Sequence, residues 1–279
     1  MIIDFHAHTF PDRIASKAIA GIQQASQAAA FSDGTVSGLT ASMSAAGIDR
    51  SVVLPVATNP AKLVSMNNAA IAQNGKDGLI CFGAMHPLAE DWKQELDRLA
   101  RSGIQGIKLH PLYQGVDIDD IRYLRILGRA SELGLITITH AGNDIAYPGQ
   151  IRCSPPMIAN ALHQVGNIPL VLAHMGGWKN WDAVAEHLAD TGVYLDTAIS
   201  LGAITPIDGH NYRESDLPLL SAEAFCKLVD RFGSHRILFG TDSPWADQKQ
   251  ALQAIRSLPL TESQQEDILF RNAQGLLSL

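Results

Sequence analysis

Apolar, β-branched runs recur along the chain at Ile2–His8, Arg50–Val56, Leu79–His86, Ile104–His110, Leu135–His140, Pro169–His174, Val193–Ser200 and Ile237–Asp242. They are near-continuous rather than alternating, the pattern of strands buried on both faces of a parallel sheet. Between them apolar positions repeat at about 3.6 residues, which predicts helices. Examples are Asp91–Arg101, Ile121–Leu133, Met157–Val165, Trp181–Thr191 and Ala222–Phe232. Helix-ending glycines precede several strands: Gly47, Gly103, Gly134, Gly166, Gly192 and Gly233. Eight strand–helix units in 279 residues have the size and count of an α/β fold of the (β/α)8, or TIM-barrel, type. One domain over residues 1–279 is expected. An open doubly wound sheet would need a Gly-rich turn after the first strand, and none is present.

Polar residues collect where the apolar runs end. In a strand, residues two apart face the same way, so His6 and His8 project together and form half of a metal site. His86 ends the third run, Lys108 and His110 the fourth, His140 the fifth, His174 the sixth and Asp242 the eighth. Six of the ten histidines thus meet at the C-terminal rim, the functional face of such a barrel. His163, His187, His210 and His235 fall in helices or loops.

Composition narrows the partners. Hydrophobic residues make up 46% and charged residues 18%, which supports a large core and argues against disorder. The net charge is −7 and no Lys/Arg cluster tracks phosphates, so a small-molecule substrate is expected and nucleic acid is not. Cys81, Cys153 and Cys226 are odd in number and widely spaced, giving no disulfide framework. No apolar run is long enough for a membrane span, and a cytoplasmic protein, able to pair as a homodimer, is the expectation.

The rim residues carry a family resemblance. His6-Ala7-His8, His140, His174 and Asp242 resemble the amidohydrolase superfamily. Gly106-Ile107-Lys108-Leu109-His110-Pro111, His140-Ala141-Gly142, His174-Met175-Gly176-Gly177 and Phe239-Gly240-Thr241-Asp242-Ser243-Pro244 are similar to its amidohydrolase-related branch, typified by aminocarboxymuconate-semialdehyde decarboxylase. The segment Ile268–Ala273 is similar too, so the resemblance runs over essentially the whole chain.

The resemblance implies a divalent metal, one zinc, held by His6, His8, His140 and Asp242, with His174 beside it as a catalytic group. Imidazole and carboxylate ligands suit such an ion, and bound zinc lowers the pKa of water from about 15.7 to about 7. Asp242 can then take the proton of the attacking water, and His174 can polarise a carbonyl or hold an oxyanion. Lys108 has three readings: a carboxylated bridge to a second metal, an ammonium that pairs with a substrate carboxylate, or a buried ion pair with Asp4 or a Glu residue. His110 contacts substrate or caps its strand, and His86-Pro87 reads as a strand-end turn.

Specificity is expected from the loops. These offer Tyr113 and Gln114, then Asn143, Asp144, Tyr147 and Arg152, then His210, Tyr212 and Arg213 in the segment Leu201–Leu219. Lys108, His110, Tyr113, Arg152 and Arg213 are the substrate-binding candidates, and the arginines could grip a carboxylate through paired hydrogen bonds. Trp178, Trp181 and Trp245 either wall the pocket or pack helices. The expected reaction is hydrolysis of an amide, ester or lactone of a small carboxylate-bearing substrate. Non-oxidative decarboxylation of an unsaturated or aromatic acid is the alternative. Decarboxylases of the branch run longer, with substrate arginines, so a compact chain favours the hydrolase. A nuclease of the TatD type would carry Glu where Lys108 stands, and a metal-binding barrel without catalysis would not need both His174 and Asp242.

Overall fold

The computed structural model describes residues 1–207, 217 and 219–279. It contains strands β1 (Ile3–Ala7), β2 (Arg50–Val53), β3 (Leu79–Cys81), β4 (Gly83–Ala84), β5 (Gly106–Leu109), β6 (Ile136–Thr139), β7 (Leu170–Leu172), β8 (Tyr194–Asp196) and β9 (Ile237–Leu238). Every pairing is parallel, in the orders β1-β2-β3 and β4-β5-β6-β7-β8-β9.

The third expected strand is divided. β3 pairs with β2 and β4 with β5, while Phe82 between them still donates its N–H to Val53 O at 3.0 Å. The other join is made by Phe5 N–H to Phe239 O and Asp242 N–H to His6 O, each at 2.7 Å, and by a parallel bridge between Ala7 and Ser243. The ring of strands therefore closes as a TIM barrel, with helices on its outside.

Apolar side chains fill the inside. Ile3, Phe5, Val52, Leu54, Ile80, Phe82, Ile138 and Val171 form one buried cluster, with Phe5 and Phe82 edge to face at 5.9 Å. A Cβ on Gly106 would lie 2.3 Å from the Phe82 ring, so glycine at this position lets Phe82 plug the barrel. Burying such a ring contributes about 2–3 kcal/mol. The closing helix Asn272–Leu277 seals this cluster with Ala273 and Leu277, and Gln105 Nε2 donates to Leu277 O at 2.7 Å.

The strands end earlier than the apolar runs do. His174, Met175 and Asp242 have φ of 60°, 52° and 65°, a left-handed backbone that L-residues adopt at a cost and that no strand can continue. These turns re-aim His174 and Asp242 at the rim. A bulge does the same for β1: Asp4 pairs with Ser51 and Ala7 with Val53, leaving one extra residue between them. Asp4 therefore faces the outer helix Gln248–Arg256, accepting from Gln248 Nε2 at 2.7 Å and Thr241 Oγ1 at 2.6 Å.

Candidate active site

His6 and His8 are each fixed by the nitrogen that points away from the rim. His8 Nδ1 lies 2.6 Å from Leu54 O, and His6 Nδ1 lies 2.7 Å from Asp196 Oδ2. Both partners only accept, so both Nδ1 atoms carry the proton and both Nε2 atoms present bare lone pairs. Those Nε2 atoms face one another at 3.2 Å. Asp242 Oδ1 stands 2.9 Å from His8 Nε2 and 3.5 Å from His6 Nε2. Three electron-pair donors so close repel unless a cation lies among them. Lys108 Nζ answers only one, donating to His6 Nε2 at 3.2 Å. The donor set of two imidazoles and a carboxylate, with a carboxylate behind His6, fits a divalent metal ion.

The charges agree with this arrangement. Burial first, and then the Lys108 ammonium, push the His6 imidazole well below its usual pKa, so it stays neutral. Burial acts to raise the Asp242 carboxyl, and positive charge facing it from the His6 and His8 positions holds it below the usual carboxylate range; with both rings neutral, a bound cation would supply that charge. Burial lowers Lys108 to about 8, against the pull of Asp196 and Asp242. Lys108 thus sits near Asp196 and Asp242, not in an ion pair with Asp4, whose carboxylate is taken up by Thr241, Gln248 and the His6 N–H.

The remaining expected residues fall in two groups. His174 Nδ1 donates to Ala198 O at 2.9 Å, which leaves Nε2 to face His140 Nδ1 at 3.1 Å. His140 is the one member of the expected ligand set that stands apart: its Nε2 lies 3.1 Å from Asn143 O, and it clusters with His110 and Asp144. Tyr113 stacks on His110 at 3.8 Å. Arg152 turns away to Asp117, Nη1 to Oδ1 at 2.9 Å, and does not reach this centre. His210, Tyr212 and Arg213 lie outside the described residues. Trp181 Nε1 donates to His174 O at 3.0 Å, a contact that braces the turn rather than lining a pocket.

Two residues play parts the sequence did not reveal. Asp196, at the end of β8, binds His6 Nδ1 with one oxygen and accepts the N–H groups of His174 and Ala198 with the other. Gln114, expected as a specificity residue, is instead a buried clamp. Its Oε1 accepts from His110 N and Tyr123 OH, and its Nε2 donates to Ala57 O and Met85 O. It joins the loops after β2, β4 and β5.

The family model described as Amidohydrolase matches residues 3–279. The chain belongs to the amidohydrolase family. Solved structures similar to this amidohydrolase cover it almost completely. The 5-carboxyvanillate decarboxylase of Sphingomonas paucimobilis shares 14% identity at a TM-score of 0.68, over 100% of this chain and 99% of that one. A protein assigned as a 2-pyrone-4,6-dicarboxylic acid hydrolase from Pseudomonas putida shares 21% at 0.67, over 99% and 97%. A dihydroxybenzoic acid decarboxylase from Polaromonas sp. JS666, with bound manganese and 2-nitroresorcinol, shares 15% at 0.68, over 100% and 97%. At these identities the likeness establishes the barrel. No curated protein sequence matches the chain. Among the described residues, no helix of this amidohydrolase is long and apolar enough to cross a membrane.

Proposed function

We propose that this amidohydrolase is a metal-dependent hydrolase that opens an amide, ester or lactone of a small carboxylate-bearing substrate. The observation that carries this reading is the convergence of His6 Nε2, His8 Nε2 and Asp242 Oδ1. His6, His8 and Asp242 would hold the ion, taken as zinc, with His140 reaching it by a turn of its ring. A bound zinc supplies Lewis acidity and a water of pKa about 7. Asp242, as a carboxylate, accepts the proton of the attacking water. His174, held by its Nδ1 to Ala198 O, or Asp242 itself would then give that proton to the leaving group. Lys108, buried near Asp196 and Asp242, would meet a substrate carboxylate as an ammonium.

Decarboxylation is the second reading. Its support is that the chain spans 99% of a decarboxylase chain, so compactness no longer separates the two. Against it, the one described arginine expected at the site, Arg152, is spent on Asp117. Incubating the zinc-loaded chain with a panel of lactones, amides and carboxylic acids decides between them. Acid release without carbon dioxide supports hydrolysis, and carbon dioxide release overturns it.

A further inference from the structure

Beside the three converging donors, Tyr113, His110 and His140 stack in series. The second pair of rings lies 4.3 Å apart and 10° from parallel. His110 caps the short helix Pro111–Gln114, its Nδ1 accepting the Tyr113 N–H at 3.4 Å. A ring nitrogen that accepts a hydrogen bond carries no proton, so the ring proton of His110 lies on Nε2. That N–H is aimed at Asp144 Oδ2, 3.7 Å away, too far for a hydrogen bond. Asp144 Oδ1 is occupied by the Ala146 N–H at 2.8 Å, while Oδ2 lies 3.9 Å from His140 Nε2 as well as facing His110. His110, His140 and Asp144 are 7%, 5% and 9% exposed.

A metal ion does not suit this cluster. Near-parallel rings send their in-plane lone pairs side by side rather than to one point about 2.0–2.1 Å from each. His110 Nε2 also carries a proton. A hydroxyl group suits it: its oxygen accepts from His110 Nε2–H and its hydrogen goes to Asp144 Oδ2.

We propose that His110 and Asp144 form a subsite for one substrate hydroxyl, which makes the enzyme selective for hydroxylated acids over their deoxy counterparts. This rests on the reading of the adjacent His6–His8–Asp242 centre as the place of reaction. His110 Nε2 and Asp144 Oδ2 lie too far apart to bond each other, and a hydroxyl between them pairs both at once, which is the source of discrimination.

The test is equilibrium binding to the zinc-loaded full chain by calorimetry, with two matched unreactive pairs: malate against succinate, and 3-hydroxybenzoate against benzoate. In at least one pair the hydroxylated acid is expected to bind about 10-fold tighter. The preference should shrink to within about 2-fold in Asp144→Ala and in His110→Phe, which keeps the stacked ring. The deoxy acid should still bind both variants. If Asp144→Ala does not fold, His110→Phe decides. The subsite is overturned if the parent chain distinguishes neither pair, or if its preference survives substitution. Because no ligand is turned over, a failure of hydrolysis and a failure of the subsite are separate results.

Discussion

Replacing Asp196 with Asn changes one atom and tests how the His6 lone pair is aimed. Asp196 Oδ2 accepts from His6 Nδ1 at 2.7 Å, and Oδ1 accepts from His174 N and Ala198 N at 2.9 and 3.0 Å. An amide offers one oxygen and one NH2. If the oxygen stays with the two backbone N–H groups, the NH2 faces His6 Nδ1. The ring proton is then driven to Nε2, and His6 no longer offers a lone pair beside His8 and Asp242. If the amide turns over, the NH2 meets two buried N–H donors that lose their acceptor, at about 1–3 kcal/mol each. The first arrangement costs less, so zinc affinity should fall while the fold persists. Loss of the partner behind a histidine ligand typically weakens binding about 10–100-fold, or about 1.4–2.8 kcal/mol. Competition against a chromogenic chelator measures this, with circular dichroism to check folding. A folded Asp196→Asn variant that binds zinc within about 2-fold of the parent would refute the reasoning.

Other substitutions probe the scaffold. Gln114→Leu strips bonds from His110 N, Tyr123 OH, Ala57 O and Met85 O, and should cost about 3 kcal/mol or more, read from urea unfolding. Gly240→Ala places a methyl 2.9 Å from His6 Cβ, and calorimetry should show weaker zinc binding with a modest loss of thermal stability. Glu95 is held below its usual pKa: burial would raise it, but hydrogen bonds from Arg98 and Asn67 win. Its stabilising contribution is therefore complete above the unfolded value of about 4.3 and fades as pH falls through the depressed folded value. Glu95→Gln should flatten the acid limb of a stability–pH curve.

The barrel was legible because buried parallel strands write themselves as apolar runs. Helices at Ala222–Phe232 and Ile121–Glu132 follow the expected spans to within a residue. Strand ends were harder to place, since the left-handed turns at His174, Met175 and Asp242 depend on tertiary contacts. His6, His8 and Asp242 were legible as polar residues that end apolar runs. Asp196 was not, because a lone carboxylate inside Tyr194-Leu195-Asp196-Thr197-Ala198 carries no spacing signal, and its meaning comes from His6, far away in sequence. The same distance hides the Arg152–Asp117 ion pair. Ring orientation sets His140 apart from the converging donors, and no sequence pattern encodes a rotamer.

The central claim is a metal centre built on His6, His8 and Asp242. Mass-spectrometric metal analysis of chain purified without added metal, beside the His6→Ala/Asp242→Ala double variant, tests it most directly. About one divalent ion per chain, lost in the double variant, is the expected result. An ion retained by the double variant, or a parent chain that takes up none even after reconstitution, would contradict it.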